Sequence, residues 1–271
     1  MNLVIRIPLP VQQMTALAGY FTDGPNLMAL YGLVSQLEED AEFEATGFGL
    51  VMESYASKVY TGEYVTTGLD AMAKGKQADG SRSMLGFRYA DMSASLYLEV
   101  AAQDLDERAR AGIVQALAQA VNLARVQGGN VVEHISADPK HRWGIKSQLV
   151  SDSEELYAFI AQHEKAISKV YLTCHLPQAL EGDALLDAYA SALTDKSKLL
   201  ICNGYRQVGQ VQDTFGNPQR IGDNVYTLAQ SVPVYQLKDK RLSEREALLS
   251  RFFWSFDTAE HSRNPLHFIL N

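Results

Sequence analysis

Between Leu123 and Ile135 the chain reads LARVQGGNVVEHI, and within this stretch its apolar period changes from that of a helix to that of a strand. No other feature constrains the fold as much. Upstream, Asp104–Val126 carries apolar residues at helical spacing, an amphipathic helix that Asp104 can cap. Gly128 and Gly129 stop it, and a strand begins at once. Such a pair serves as a glycine C-cap, as a dinucleotide cradle, or as a loop that approaches a nucleic-acid backbone. A dinucleotide fingerprint sets its glycines at other spacings and where a helix opens. Here they close one, so that reading fails. The C-cap, turning the helix into the next strand, is the simplest account from the residues alone.

The preceding segments give this unit its context. Leu3–Ile7 alternates as a strand that Pro8 and Pro10 should end. Asn26–Leu37 has helical spacing with Asn26 as its cap. Glu44–Glu53 is the next strand, where Gly47 and Gly49 point to a bulge or a close backbone approach. Residues 55–88 place Tyr55, Tyr60 and Tyr64 among Thr, Gly and Lys, then add the turn KGKQADGSR. That pattern predicts a protruding hairpin. Ser93–Val100 is a strand. The order is βαββαβ, the ferredoxin-like pattern within an α/β (α+β) fold.

Downstream, residues 137–195 read as a mostly helical insertion that starts with the basic loop DPKHRWGIK. Residues 196–271 read as a strand–loop–helix part that completes the fold. It comprises a short strand at Lys198–Cys202, a polar loop over 203–224, a strand at Val225–Gln236, and a helix in SEREALLSRFFWSF. Ser243 and Glu246 stand there in capping-box positions. The first domain thus spans 1–136, with the hairpin at about 55–88.

Charge narrows the function classes. The net charge of −8 excludes a protein that coats duplex nucleic acid through bulk electrostatics. Residues 1–130 hold 9 basic and 15 acidic side chains, and residues 131–271 hold 15 and 17, so a polyanion site must be a local patch. No apolar run is long enough to span a bilayer. The segment MNLVIRIPLP is too short and strand-like for an export signal, so a cytoplasmic location is expected. Cys174 and Cys202 lack metal or redox spacing and read as reduced thiols.

The six histidines form no metal-binding pair, no serine sits in a nucleophile elbow, and no glycine–lysine phosphate loop occurs. Neither a metal nor another cofactor is expected. His134 and His141 flank the glycine turn and the basic loop, where either could act as acid or base in RNA cleavage, or simply sit at the surface. Three places combine cations with aromatic planes, the pairing that single-stranded RNA requires. They are the hairpin with Lys74, Lys76, Arg82 and Arg88, the loop with Arg142, Trp143 and Lys146, and the later loop with Tyr205, Arg206 and Arg220.

The ordered blocks GPNLMALYGLVSQLEED, TGFGLVMESYASKV, DGSRSMLGFRYADMSASLYLEV, LARVQGGNVVE, GYRQVGQVQDTFGNPQRIGDNVYTLAQSVPVYQL and EREALLSRFFWSFD resemble a known family. It is the Cas-five subunit (Csy-two type) of type I-F or I-F-variant CRISPR surveillance complexes (Cascade or Csy), within the ferredoxin-like RAMP superfamily. The resemblance implies a noncatalytic subunit for antiviral defence. Such a subunit holds the 5′ handle of the guide RNA (crRNA), caps the backbone filament and inserts a thumb hairpin into the guide. Its partners would be the guide RNA and other Cas subunits, backbone and large, with target DNA reached indirectly through base pairing. Gly128 and Gly129 would then form a loop beside the RNA, Tyr55–Arg88 would contain the thumb, and Tyr205 and Arg206 would lie near the handle. Competing readings are a RAMP endoribonuclease that processes repeat RNA through His134 or His141, a Cas-seven-like backbone subunit, and a protein that mimics a Cas subunit.

Overall fold

The computed structural model describes residues 1–15, 26–59, 88–102, 105–174, 197–212 and 218–254, with residues 183, 187, 190, 194 and 195. Among these residues nine strands form one antiparallel sheet. They are β1 (Asn2–Thr15), β2 (Ala45–Val59), β3 (Arg88–Ala101), β4 (Arg125–Val126), β5 (Gly129–Val131), β6 (Lys146–Val150), β7 (Lys169–Cys174), β8 (Lys198–Gln212) and β9 (Pro218–Pro233). With them stand the helices α1 (Leu27–Ala41), α2 (Glu107–Leu123), α3 (Ser153–His163), α4 (Val234–Lys238) and α5 (Leu242–Leu249), and residues 183, 187 and 190 are also helical.

The strand order is β4-β5-β1-β3-β2-β7-β9-β8, with β6 also on β1. Because β3 runs antiparallel to both β1 and β2, those two are parallel, and β3 lies between them. Apolar residues fill both faces of the sheet. Leu3, Ile5, Ile7 and Leu9 of β1 join Leu30, Leu33 and Leu37 of α1 and Leu117 and Val121 of α2 in one core. Val4, Val51, Tyr97 and Val170 point the other way, onto Leu156, Phe159 and Ile160 of α3 and Phe252 beyond α5. Full burial of each such aliphatic side chain contributes about 1.5–3 kcal/mol.

Several boundaries differ from the sequence expectation. β1 runs through Pro8 and Pro10 rather than ending there, and both stay paired with β3, opposite Ser95 and Ser93. The Pro10 carbonyl accepts from Val132 N–H on the outer side of β1 (3.0 Å), so the missing N–H groups of both prolines fall on that side. There β6 covers Asn2–Arg6 and β5 covers Val11–Gln12, leaving the proline stretch between them. A proline is tolerated where the ladder asks nothing of its nitrogen. α1 starts on the Asn26 cap, whose side chain accepts from Met28 N–H, as expected. α2 is capped by Asp106 rather than Asp104 and stops at Leu123. Arg241, whose side chain makes no capping bond, precedes α5, so Ser243 and Glu246 lie inside that helix instead of forming a capping box.

The expected helical middle contains two strands, β6 and β7, and α3 ends at His163. The alternation KVYLTC outweighs the helical run before it once a neighbouring strand is available. The polar loop expected over 203–224 is instead strand in its described parts, 203–212 in β8 and 218–224 in β9. Register shifts at Cys202/Gly204 and Gln207/Gly209 show why the glycines looked like loop: they sit at bulges.

Gly47 and Gly49 bear out the close approach read from the sequence. A Cβ on Gly49 would lie 2.5 Å from the Phe252 ring, and one on Gly47 would lie 3.1 Å from the Trp254 carbonyl. Phe48 between them exchanges both backbone bonds with Trp254, at 2.9 and 2.8 Å. The two glycines therefore form the seat on which the segment after α5 lies.

Candidate nucleic-acid interface

The basic loop DPKHRWGIK is a closed structure on the outer side of β1. Ser136 N–H donates to the Trp143 carbonyl (3.1 Å), and Ile145 N–H donates to the Ser136 carbonyl (2.9 Å). Within that clasp His141 N–H reaches the Asp138 carbonyl, Lys140 N–H reaches Asp138 Oδ1, and Trp143 N–H reaches His141 Nδ1. Gly144 is required at the closure, since a Cβ there would come within 2.2 Å of the Asp138 carbonyl. The result exposes Lys140, His141 and Arg142 together. The Arg142 guanidinium stands 5.2 Å from the Trp143 ring centre, within cation–π range, while Trp143 packs against the core beneath α1 and α2. A cation, an aromatic edge and a fixed backbone are the parts that hold a phosphate beside an unstacked base.

Asn122 of α2 anchors the root of this loop. Its Oδ1 accepts from Ile135 N–H, and its Nδ2 donates to the Ile135 carbonyl and to Ala118 O. The glycine pair has a different place from the helix cap expected. α2 ends at Ala124 in extended backbone, and Gln127–Gly128 form the two-residue turn between β4 and β5. Both have positive φ, 51° and 80°, as a type I′ hairpin turn demands. Gly129 is buried against the backbone of Gln12 and Met14, where its Cβ would fall at 2.7 Å. Gly128 is exposed at the turn and Gly129 is packed against the protein's own strand.

Lys146 opens β6 directly opposite Arg6, which lies opposite Tyr97. All three are therefore on the α3 face, so the fold separates Lys146 from the Arg142–Trp143 pair, which the sequence had grouped together. Around Arg6 is a buried polar cluster. Its Nε donates to Glu164 Oε1 at 2.6 Å, and the Tyr97 hydroxyl donates to the same oxygen at 2.8 Å. Burial alone would lower the Arg6 guanidinium, but the Glu164 charge and hydrogen bond outweigh it and raise it. Burial, then the Glu164 charge, holds the Tyr97 hydroxyl well above its ordinary value. His163 is pushed down to about 4 by burial and then by the charges of Arg6 and Lys146.

The remaining candidates lie elsewhere. Arg88 is opposite Val59 in the β2–β3 ladder, whereas Lys74, Lys76 and Arg82 lie outside the described residues. Tyr205 and Arg206 are on β8, opposite Asn224 and Asp223, and Arg220 is on β9 opposite Gln210. That hairpin ends the sheet on the side away from β1. His134 is exposed beside the loop root and His141 is within the loop.

Sequence reasoning missed Asn122, Arg6 and Glu164. Arg6 carried a signal, as a lone charge inside an apolar strand; Asn122 and Glu164 carried none beyond their polarity. Among the described residues no helix is long and apolar enough to cross a membrane, and no cluster of His, Cys, Asp and Glu is placed to hold a metal ion. No family model matches this sequence, and no curated protein matches it.

Proposed function

We propose that this chain is a noncatalytic, guide-RNA-binding subunit of a type I-F-like CRISPR surveillance complex, built on a ferredoxin-like domain of the RAMP kind. The strand order β5-β1-β3-β2, with α1 and α2 packed in one core, supports the fold part of this reading. The pairing of β2 with β3 out to Val59 and Arg88 supplies a stem of the sort a thumb hairpin needs. The observation that carries the functional part is the preformed loop at 136–144. Its internal bonds fix the backbone that carries the exposed Lys140 and Arg142, with Arg142 over the Trp143 ring, so little ordering cost remains when a phosphate binds. In this role the loop grips the guide strand, and base pairing by the guide supplies target specificity. Neighbouring backbone and large subunits complete the particle.

The test is co-expression with the neighbouring gene products and a repeat-containing RNA, followed by purification without added metal. Intact RNA should be retained. A Lys140→Ala/Arg142→Ala variant should bind it more weakly, with a shallower salt dependence by about 0.7 per lost phosphate contact. RNA cleavage that disappears in His134→Ala or His141→Ala would overturn the noncatalytic reading in favour of an endoribonuclease. A stable Cas partner without RNA would overturn it in favour of a mimic.

A further inference from the structure

Beside the root of the basic loop, between α2 and residues 134–138, lies a cavity of about 270 Å³. That is below the about 300–1,000 Å³ of sites for drug-sized ligands. Its lining is rich in hydrogen-bonding groups: Gln115, Gln119, Asn122, His134 and Ser136. Gln115 and Gln119 are one turn apart on α2, so their amides lie on the same side, and both are exposed. Asn122 is already committed to Ile135 and Ala118 and fixes the wall. Ala118 and Ala137 present small apolar surfaces between the polar groups.

Charge decides what such a cavity takes. Among its described lining residues there is no lysine or arginine, and Asp138 is the carboxylate among them. A phosphate there would face that carboxylate. A flat neutral ring with donors and acceptors on its edge brings no charge against it, and the phosphate attached to the ring has Lys140 and Arg142 on the adjoining loop. Asp138 lines the cavity, and its Oδ1 accepts from Lys140 N–H at 2.9 Å, which leaves the carboxylate with acceptor capacity to spare. A carboxylate matches a base edge with adjacent N–H donors and opposes one whose single N–H lies between carbonyls. Guanine is the first kind and uracil the second.

We propose that this cavity receives one unpaired nucleobase of the bound RNA and prefers guanine, with Asp138 accepting from its ring N–H and amino group and Gln115 and Gln119 meeting the remaining edge. The inference rests on the RNA-binding reading and adds a base-reading site to it. The test uses the full chain and labelled uridine decamers, either plain or with one central guanosine, adenosine or cytidine, titrated by fluorescence anisotropy at fixed salt. The guanosine decamer should bind about tenfold more tightly than plain uridine, the scale of one good base-edge pair. Asp138→Asn keeps an acceptor for Lys140 N–H and removes the charge. It should bring the guanosine-to-uridine ratio near one while binding plain uridine at least as well. Gln119→Ala, on an exposed helix face, should lower the same ratio several-fold. A purely electrostatic role for Asp138 would shift all decamers equally and leave the ratio intact, which overturns the site. Binding of every decamer with equal affinity overturns the site but not RNA binding, and a preference for another base overturns the assignment to guanine. Binding of none overturns both.

Discussion

The side-chain amide of Asn122 makes both backbone hydrogen bonds of Ile135, accepting its N–H and donating to its carbonyl, each at 2.8 Å. Ile135 is fully buried, so α2 supplies for one residue what a neighbouring strand would otherwise supply. The basic loop inherits its position from this clamp.

Asn122→Ala removes the clamp and strands two backbone groups of a buried residue, each costing about 1–3 kcal/mol when left unmade. The melting temperature should fall, and amide exchange should speed up across residues 133–146 before it does in the sheet. Asn122→Asp keeps the acceptor, loses the donor, and should fall between. Equal exchange in the loop of wild type and Asn122→Ala would show that the clasp at Ser136 and Ile145 is sufficient alone.

The two glycines divide the work that the sequence reading assigned jointly to them. At Gly128 the constraint is conformational, φ of 80° at an exposed turn, so Gly128→Ala should cost about 1 kcal/mol. At Gly129 the constraint is space, with the backbone of Gln12 and Met14 at 2.7 Å from an added Cβ. Backbone cannot rotate out of the way as a side chain can, so Gly129→Ala should be the more damaging substitution. Denaturant titration of both variants gives the ranking, and the reverse order would mean that β1 yields at its register shift between Val11 and Met14. Loss of RNA binding in a Gly129 variant therefore carries information only after its fold has been checked.

What the sequence carried well was local and periodic: the Asn26 cap, the strand cores at Leu3–Ile7 and Ser93–Val100, and the close approach at Gly47 and Gly49. What it carried badly depended on partners far along the chain. Pro8 and Pro10 looked like a strand end because the gap between β6 and β5 is a property of the sheet. Gly204 and Gly209 looked like loop because a bulge is defined by the opposing strand. The candidate loop around Arg142 was legible as a basic, aromatic segment. Its separation from Lys146 was not, because it follows from the pairing of Lys146 with Arg6.

Glu164 joins two elements through one oxygen, taking Arg6 Nε and the Tyr97 hydroxyl. The Arg6 and Glu164 side chains are only 13% and 6% exposed. Glu164→Ala leaves a buried guanidinium without its counter-charge, a change that costs about 3–5 kcal/mol. An Arg6→Met/Glu164→Leu pair removes both charges and should recover most of that loss, as thermal unfolding of the single and double variants will show. A double variant no better than Glu164→Ala would mean that the Tyr97 bond, not charge pairing, dominates the cluster.

Acid should weaken the fold through His163. An unfolded histidine takes up its proton near 6.5, whereas burial, then Arg6 and Lys146, holds the folded His163 at about 4. Between those values the unfolded chain binds the extra proton, so its contribution is complete above 6.5 and is lost as the pH falls towards 4. His163→Gln should flatten the stability profile between pH 6.5 and 5, above the range where most carboxylates titrate. Parallel profiles of wild type and variant would remove His163 from the acid response.

Gly49 and Phe252 offer the clearest test of packing. The Phe252 ring is fully buried, sits edge-on to Tyr97 at 5.5 Å, and occupies the space a Cβ on Gly49 would need. Gly49→Ala must displace that ring and should cost about 1–3 kcal/mol through overpacking. Phe252→Leu shortens the obstructing group and costs stability through lost contacts. If the two residues compete for one volume, the double variant will lose less than the sum of the single losses, with a coupling of about 0.5–3 kcal/mol. Strict additivity in the cycle would mean that the segment after α5 shifts as a body, and the paired backbone bonds of Phe48 and Trp254 would then have to stretch or break to allow it.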